Sequence, residues 1–132
     1  MKIYDFKFDV ESGIHTFKMV GKRSISDILE FVDRLVKDDS LTANLKLISD
    51  NLDCEIEYDR KYISRLIEAN SVLLDKHHSF SHAIVNNKPI EAAMSDMYKN
   101  LCDDSRYTVK VFSSIEAARL WLNNIPVIPQ AI

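Results

Sequence analysis

Residues 3–11, IYDFKFDVE, alternate in character, with Tyr4, Phe6, Phe8 and Val10 on one side and Asp5, Lys7, Asp9 and Glu11 on the other. A period of two predicts a half-buried strand. ESG then makes a tight turn, with Gly13 free to take a positive φ. IHTFKMVG reads as a second strand, antiparallel to the first. The period then changes. Ile25, Ile28, Leu29, Val32, Leu35 and Val36 recur at helical spacing, behind a capping-box-like Ser24 and Asp27, and the pattern stops at KDDS. LKLIS is a short strand ending at Asp50, followed by the acidic passage DNLDCEIE. A second helix starts near Asp59, a good N-cap, and buries Tyr62, Ile63, Leu66, Ile67, Leu73 and Leu74. It ends in Lys76, His77 and His78, which suit the negative end of a helix dipole. FSHAIVNN carries Ala83, Ile84 and Val85 in succession, a strand covered on both faces. Pro89 opens a third helix whose stripe is Ile90, Ala93, Met94, Met97 and Leu101. YTVKVF is a strand. Ser113 and Glu116 form an S-x-x-E capping box for a last helix built on Ile115, Ala118 and Leu122, with Trp121 beside them. Pro126 and Pro129 mark an irregular tail.

The order β-β-α-β-α-β-α-β-α predicts an α/β fold. Its central sheet is mixed but mostly parallel, with an N-terminal antiparallel strand at one edge. The 132 residues suggest one domain, residues 1–125, followed by the tail 126–132. Hydrophobic residues make up 46% and charged residues 28%, an ordinary soluble composition. The net charge of −3 and the lack of a basic face disfavour nucleic acid as a partner. The start has no continuous apolar stretch of a signal peptide, and no run approaches the roughly 20 residues that span a bilayer, so a cytoplasmic location is expected. Two glycines leave no phosphate-cradling loop or dinucleotide fingerprint, and no cofactor is implied. Cys54 and Cys102 have no metal-ligand spacing and read as small, partly buried residues.

The ending YTVKVFSSIEAARLWL resembles the terminal strand and helix of SpoIIAA-like proteins, in its Phe, capping Ser, Glu-Ala pair and Trp-Leu. The element order, over residues 3–124, is similar to the STAS-type fold of anti-sigma-factor antagonists. The resemblance implies a non-catalytic binding or regulatory module. Such modules bind a regulatory protein partner, or an anionic or lipid-like small ligand. In the phosphorylated antagonists a strand ends at an Asp, and an Asp-Ser opens the next helix. Here Asp50 and Asp59 match the two aspartates, but Arg60 stands in place of the phosphoacceptor serine. Ser64 lies a turn further on. The phosphorylation switch is therefore not expected in this chain.

Other constellations suggest chemistry less directly. DKHHSFSH gathers Asp75, His77, His78 and His82, residue types that bind metals. A helix-to-strand transition separates His78 from His82, so histidines at a helix end are the simpler reading and no metal is expected. Cys54 sits among acids, which disfavours a thiolate nucleophile. The carboxylates Asp50, Asp53, Glu55, Glu57 and Asp59 read as a solvated loop; the alternative is a small hydrolase or transferase using that loop. Helices that follow parallel strands gather their N-termini at one sheet edge, where backbone N–H groups favour anions. Lys22, Arg23, Arg60, Lys61 and Lys88 converge there. The ligand-binding candidates are accordingly Lys22, Arg23, Asp50, Asp59, Arg60 and Lys88. The apolar faces with Met94 and Met97 are core or, alternatively, a lipid pocket. The one-sided first strand also allows a homodimer through the sheet edge.

Overall fold

A computed structural model describes residues 4–57 and 60–125; Asp59 and the expected tail lie outside them, as do the side chains of Tyr4, Arg60 and Ile90. The strands are β1 (Tyr4–Asp9), β2 (Ile14–Met19), β3 (Gly21–Ser24), β4 (Asn44–Asp50), β5 (Cys54–Glu57), β6 (Ser79–Val85) and β7 (Tyr107–Phe112). The helices are α1 (Ile25–Lys37), α2 (Ile63–Leu74), α3 (Pro89–Leu101) and α4 (Ile115–Asn123). Five strands form one sheet in the order β1-β2-β4-β6-β7, antiparallel only at β1–β2. The parallel strands step in one direction across the sheet, and right-handed crossovers then place α1, α2 and α3 on a single face. The chain after β7 returns over the other face as α4.

The side chains obey this layering. On the three-helix face, Phe17, Met19, Leu45, Leu47, Phe80, Ile84, Tyr107 and Val109 pack with Phe31, Val32, Leu35, Leu66 and Leu73. On the opposite face Ile14, Ile48, Ala83 and Val85 meet Ala118 and Leu122 of α4. Both faces of β6 are thus covered, as its apolar run predicts. β1 is less closed than its alternation suggests, with Phe8 exposed and Phe6 and Phe8 stacked on His15.

The observed element order contains two strands more than the predicted one. Gly21 takes a φ of +79°, turns the chain out of β2, and donates its N–H to the Asp53 carbonyl at 3.1 Å. The stretch that follows, β3, pairs in parallel with β5, forming a separate two-stranded sheet. The acidic passage is therefore not a wholly solvated loop, because Cys54 and Ile56 point into the core while Glu55 and Glu57 point out. That alternation was present in C-E-I-E, but four residues are too few for a period to stand out.

Helix ends also shift. Ser24 donates its backbone N–H to Asp27 Oδ2 at 2.9 Å, in keeping with the predicted cap. A 3₁₀ turn, Arg60–Tyr62, precedes α2, which stops at Leu74, short of His78. Lys76, His77 and His78 instead form the turn that leads into β6, where His78 donates its N–H to the Ala43 carbonyl. The N-cap of α4 is Ser114, one residue past the predicted Ser113; its Oγ accepts the Ala117 N–H at 3.2 Å. The S-x-x-E spacing misled because the helix begins where an N–H is actually captured. Ser114→Ala should lower the stability measured by chemical denaturation by about 1 kcal/mol, and Ser113→Ala should leave it nearly unchanged.

Candidate functional site

The small sheet lies against the first turn of α3. In β3 and β5, Lys22 pairs with Glu55 and Ser24 with Glu57, and the Lys22, Glu55 and Glu57 side chains are exposed. The other edge of β5 would present unpaired backbone groups. α3 covers it with side chains. Lys88, the N-cap, donates from Nζ to the Cys54 carbonyl at 2.9 Å. Ile56 donates its N–H to Glu91 Oε1, also at 2.9 Å. Lys88 and Glu91 thus stand where a third strand would hydrogen-bond. Between them and the outer surface lies a groove of about 370 Å³, lined by Lys22, Glu55, Ile56, Glu57, Lys88, Pro89 and Glu91.

The groove is of mixed charge. Lys22, Glu55 and Glu57 are exposed, whereas Glu91 is 4% exposed. Glu91 Oε2 has no hydrogen-bond donor and faces Lys88 Nζ only at 4.0 Å. Two ammonium groups therefore meet three carboxylates, and a simple anion has no electrostatic preference for this place.

Of the residues singled out in the sequence, Lys22 and Lys88 come together here. Arg23 does not line the groove; it donates from Nε to the Val20 carbonyl at 2.8 Å and packs over Gly21. Asp50 ends β4 and is 8% exposed, its Oδ1 accepting the Leu52 N–H at 3.1 Å. It is thus separated from the exposed acids of the same passage. Arg60 opens the 3₁₀ turn, and Lys61 lies over the Tyr62 ring at 5.3 Å. Asp53 is ion-paired with Lys18 at 2.8 Å, and that hydrogen bond holds its carboxyl below the usual range.

Burial lifts the Cys54 thiol to about 11, with the nearby Glu91 carboxylate adding to the effect, so Cys54 carries no thiolate at neutral pH. His77 Nδ1 lies 2.7 Å from the Thr42 carbonyl, while His82 is inside the sheet face beside Ser49 and Tyr107. Among the described residues no group of three His, Cys, Asp or Glu side chains is placed to hold a metal.

Several polar residues that the sequence reading passed over are buried: Asn70, Asn86, Glu91 and Ser95, with Tyr98 beside them. Three of these lie on α3. Its inward face is Glu91, Ser95 and Tyr98, with Met94 and Met97 flanking, whereas Ala93 is exposed and Leu101 is 54% exposed. The predicted stripe through Ala93 and Leu101 is therefore rotated from the true one. The available signal was the E-x-x-x-S-x-x-Y spacing, which follows one helix face.

Neither a family model nor a curated protein matches the sequence. The fold does have a counterpart among solved structures. It is similar to an uncharacterised protein of the DUF3478 family from Shewanella loihica PV-4, which has a SpoIIAA-like fold. The TM-score is 0.60 over 90% of this chain and 91% of that one, at 13% sequence identity. The mostly parallel sheet with four helices is thus a SpoIIAA-like α/β fold, as the terminal motif implied. Among the described residues no helix is long and apolar enough to cross a membrane.

Proposed function

We propose that the chain is a non-catalytic, cytoplasmic binding module whose groove between β3, β5 and α3 takes a small zwitterionic ligand. The observation behind this is the meeting of Lys22 and Lys88 with Glu55, Glu57 and the buried Glu91 around one concavity. A ligand with an ammonium group and a phosphate or carboxylate complements both signs at once. The anion-only ligand suggested by the sequence complements one. The hydrolase or transferase alternative has less behind it, since Asp53, Glu55 and Glu57 are exposed and offer no dry pair of carboxylates for acid–base work.

The test uses isothermal titration with phosphoethanolamine, inorganic phosphate and ethanolamine. Phosphoethanolamine should bind more tightly than either fragment. Lys22→Ala and Glu57→Ala should each weaken it by about fivefold, since a partly screened charge contact contributes about 1 kcal/mol. Equal binding of all three probes, or none, defeats the zwitterion reading. Both residues are exposed, so neither change disturbs the core.

A further inference from the structure

A second concavity lies between the sheet and the three helices on its face. It has a volume of about 50 Å³, and its apolar wall includes Phe17, Met19, Phe31, Val32, Leu35 and Leu66. Ser49, Asn70, His82 and Tyr98 line the same cavity. These groups form one chain of hydrogen bonds, and its direction can be worked out.

Asn70 fixes the start. Its Nδ2 donates to the Leu66 carbonyl at 3.1 Å, which only a donor can do, and its second hydrogen goes to the Tyr98 hydroxyl at 2.7 Å. Tyr98 accepts that bond, so its own O–H points to the Tyr107 hydroxyl at 2.7 Å. Tyr107 in turn donates to His82 Nδ1 at 2.9 Å. His82 is neutral, burial having driven its pKa down to about 3, so an accepting Nδ1 leaves the proton on Nε2. Nε2–H then donates to Ser49 Oγ at 2.7 Å. Reversing the chain would aim the Asn70 carbonyl at the Leu66 carbonyl, two acceptors at bonding distance. Every proton in the relay is committed except the last, on the Ser49 hydroxyl. Ser95 also lines the cavity, and its Oγ accepts from Asn86 Nδ2 at 2.8 Å.

We propose that this cavity is a ligand site, distinct from the surface groove, for a small neutral molecule carrying one acceptor oxygen, to which the Ser49 hydroxyl donates. Apolar walls exclude a charged ligand, because no ion pair is available there to offset its desolvation. The volume corresponds to roughly three to five water-sized units, enough for a ketone or amide of about four heavy atoms but not for an acyl chain. The neutral His82 stiffens the donor by fixing the Ser49 oxygen from behind.

The probes are acetone and isobutene, of nearly the same shape, with and without an acceptor, titrated into the full chain and followed by NMR. Acetone should shift the Ser49, His82 and Tyr98 resonances and bind about five- to tenfold more tightly, the worth of one hydrogen bond. Ser49→Ala should keep the binding of isobutene and erase the difference between the two. Nitrogen-15 spectra of the free protein should show His82 as the Nε2–H tautomer. Equal affinities in the natural sequence, no binding of either probe, a preference that survives Ser49→Ala, or an Nδ1–H tautomer each overturns the assignment. Tighter binding of decanoate than of acetone also overturns it, since that would make the cavity an acyl-chain site.

Discussion

Lowering the pH from 6.5 to 4.5 should destabilise the fold by about 3 kcal/mol, read as a falling midpoint of denaturant unfolding. The cause is His82. In the folded chain its pKa is driven down to about 3 by burial, against an ordinary value of 6.5. Between those values the unfolded chain binds a proton that the folded chain does not. Stability is therefore full above pH 6.5 and is lost as the pH falls toward 3, by about 1.4 kcal/mol per unit. His15 and His77 act in the same direction, each lowered mainly by burial. His15 adds to this because both ring nitrogens are buried without a hydrogen-bond partner. The window matters, because Asp9, Asp38, Asp53 and Asp104 are also lowered and titrate further down, from an ordinary value of 3.8. Above pH 4.5 the histidines dominate. His82→Gln should be less stable at pH 7, through the broken relay, yet its slope should be flatter by about 1.4 kcal/mol per pH unit. A midpoint in the natural chain that stays level from pH 6.5 to 4.5 would show that His82 is not held neutral.

The relay also explains what was legible beforehand. Periodicity found the main strands and all four helices because apolar residues drive them. It could not find the inward face of α3, where the buried residues are polar. Glu91, Ser95 and Tyr98 are buried because each has a partner on another element: the Ile56 N–H, the Asn86 amide, and the Asn70 amide with the Tyr107 hydroxyl. A pattern read one element at a time does not reveal such partners. Asn70 was hidden in α2 for the same reason, although it lies one helical turn past Leu66. That Lys22 and Lys88 approach each other was expected from strand-then-helix order, but they meet across β5, a strand that the periodicity did not show. Glu91, which changes the charge of that place, was not legible. It reads as an ordinary acidic first-turn residue of α3 until β5 appears beside it.

Glu91→Leu should cost about 3 kcal/mol of stability and expose the β5 edge, whereas Glu91→Gln should cost less than half of that. In the natural chain the Glu91 carboxylate satisfies the Ile56 N–H from inside the protein, and a hydrogen bond to a charged group contributes about 1.5–3 kcal/mol. Leucine fills similar space but leaves the Ile56 N–H without an acceptor, at a cost of about 1–3 kcal/mol for a buried donor. Glutamine retains an acceptor oxygen; it loses the charge on that hydrogen bond and the 4.0 Å ion pair with Lys88, whose side chain is 42% exposed and can turn to water. Amide hydrogen exchange separates the local from the global effect. In Glu91→Leu the Ile56 amide should exchange far faster than those of β4 and β6, because the two-stranded sheet opens while the five-stranded sheet holds. In Glu91→Gln it should remain protected. If leucine is tolerated within about 0.5 kcal/mol and Ile56 stays slow, another acceptor holds that amide. The edge of β5 would then be closed without α3, and the groove would lose the residue that gives it a buried negative pole.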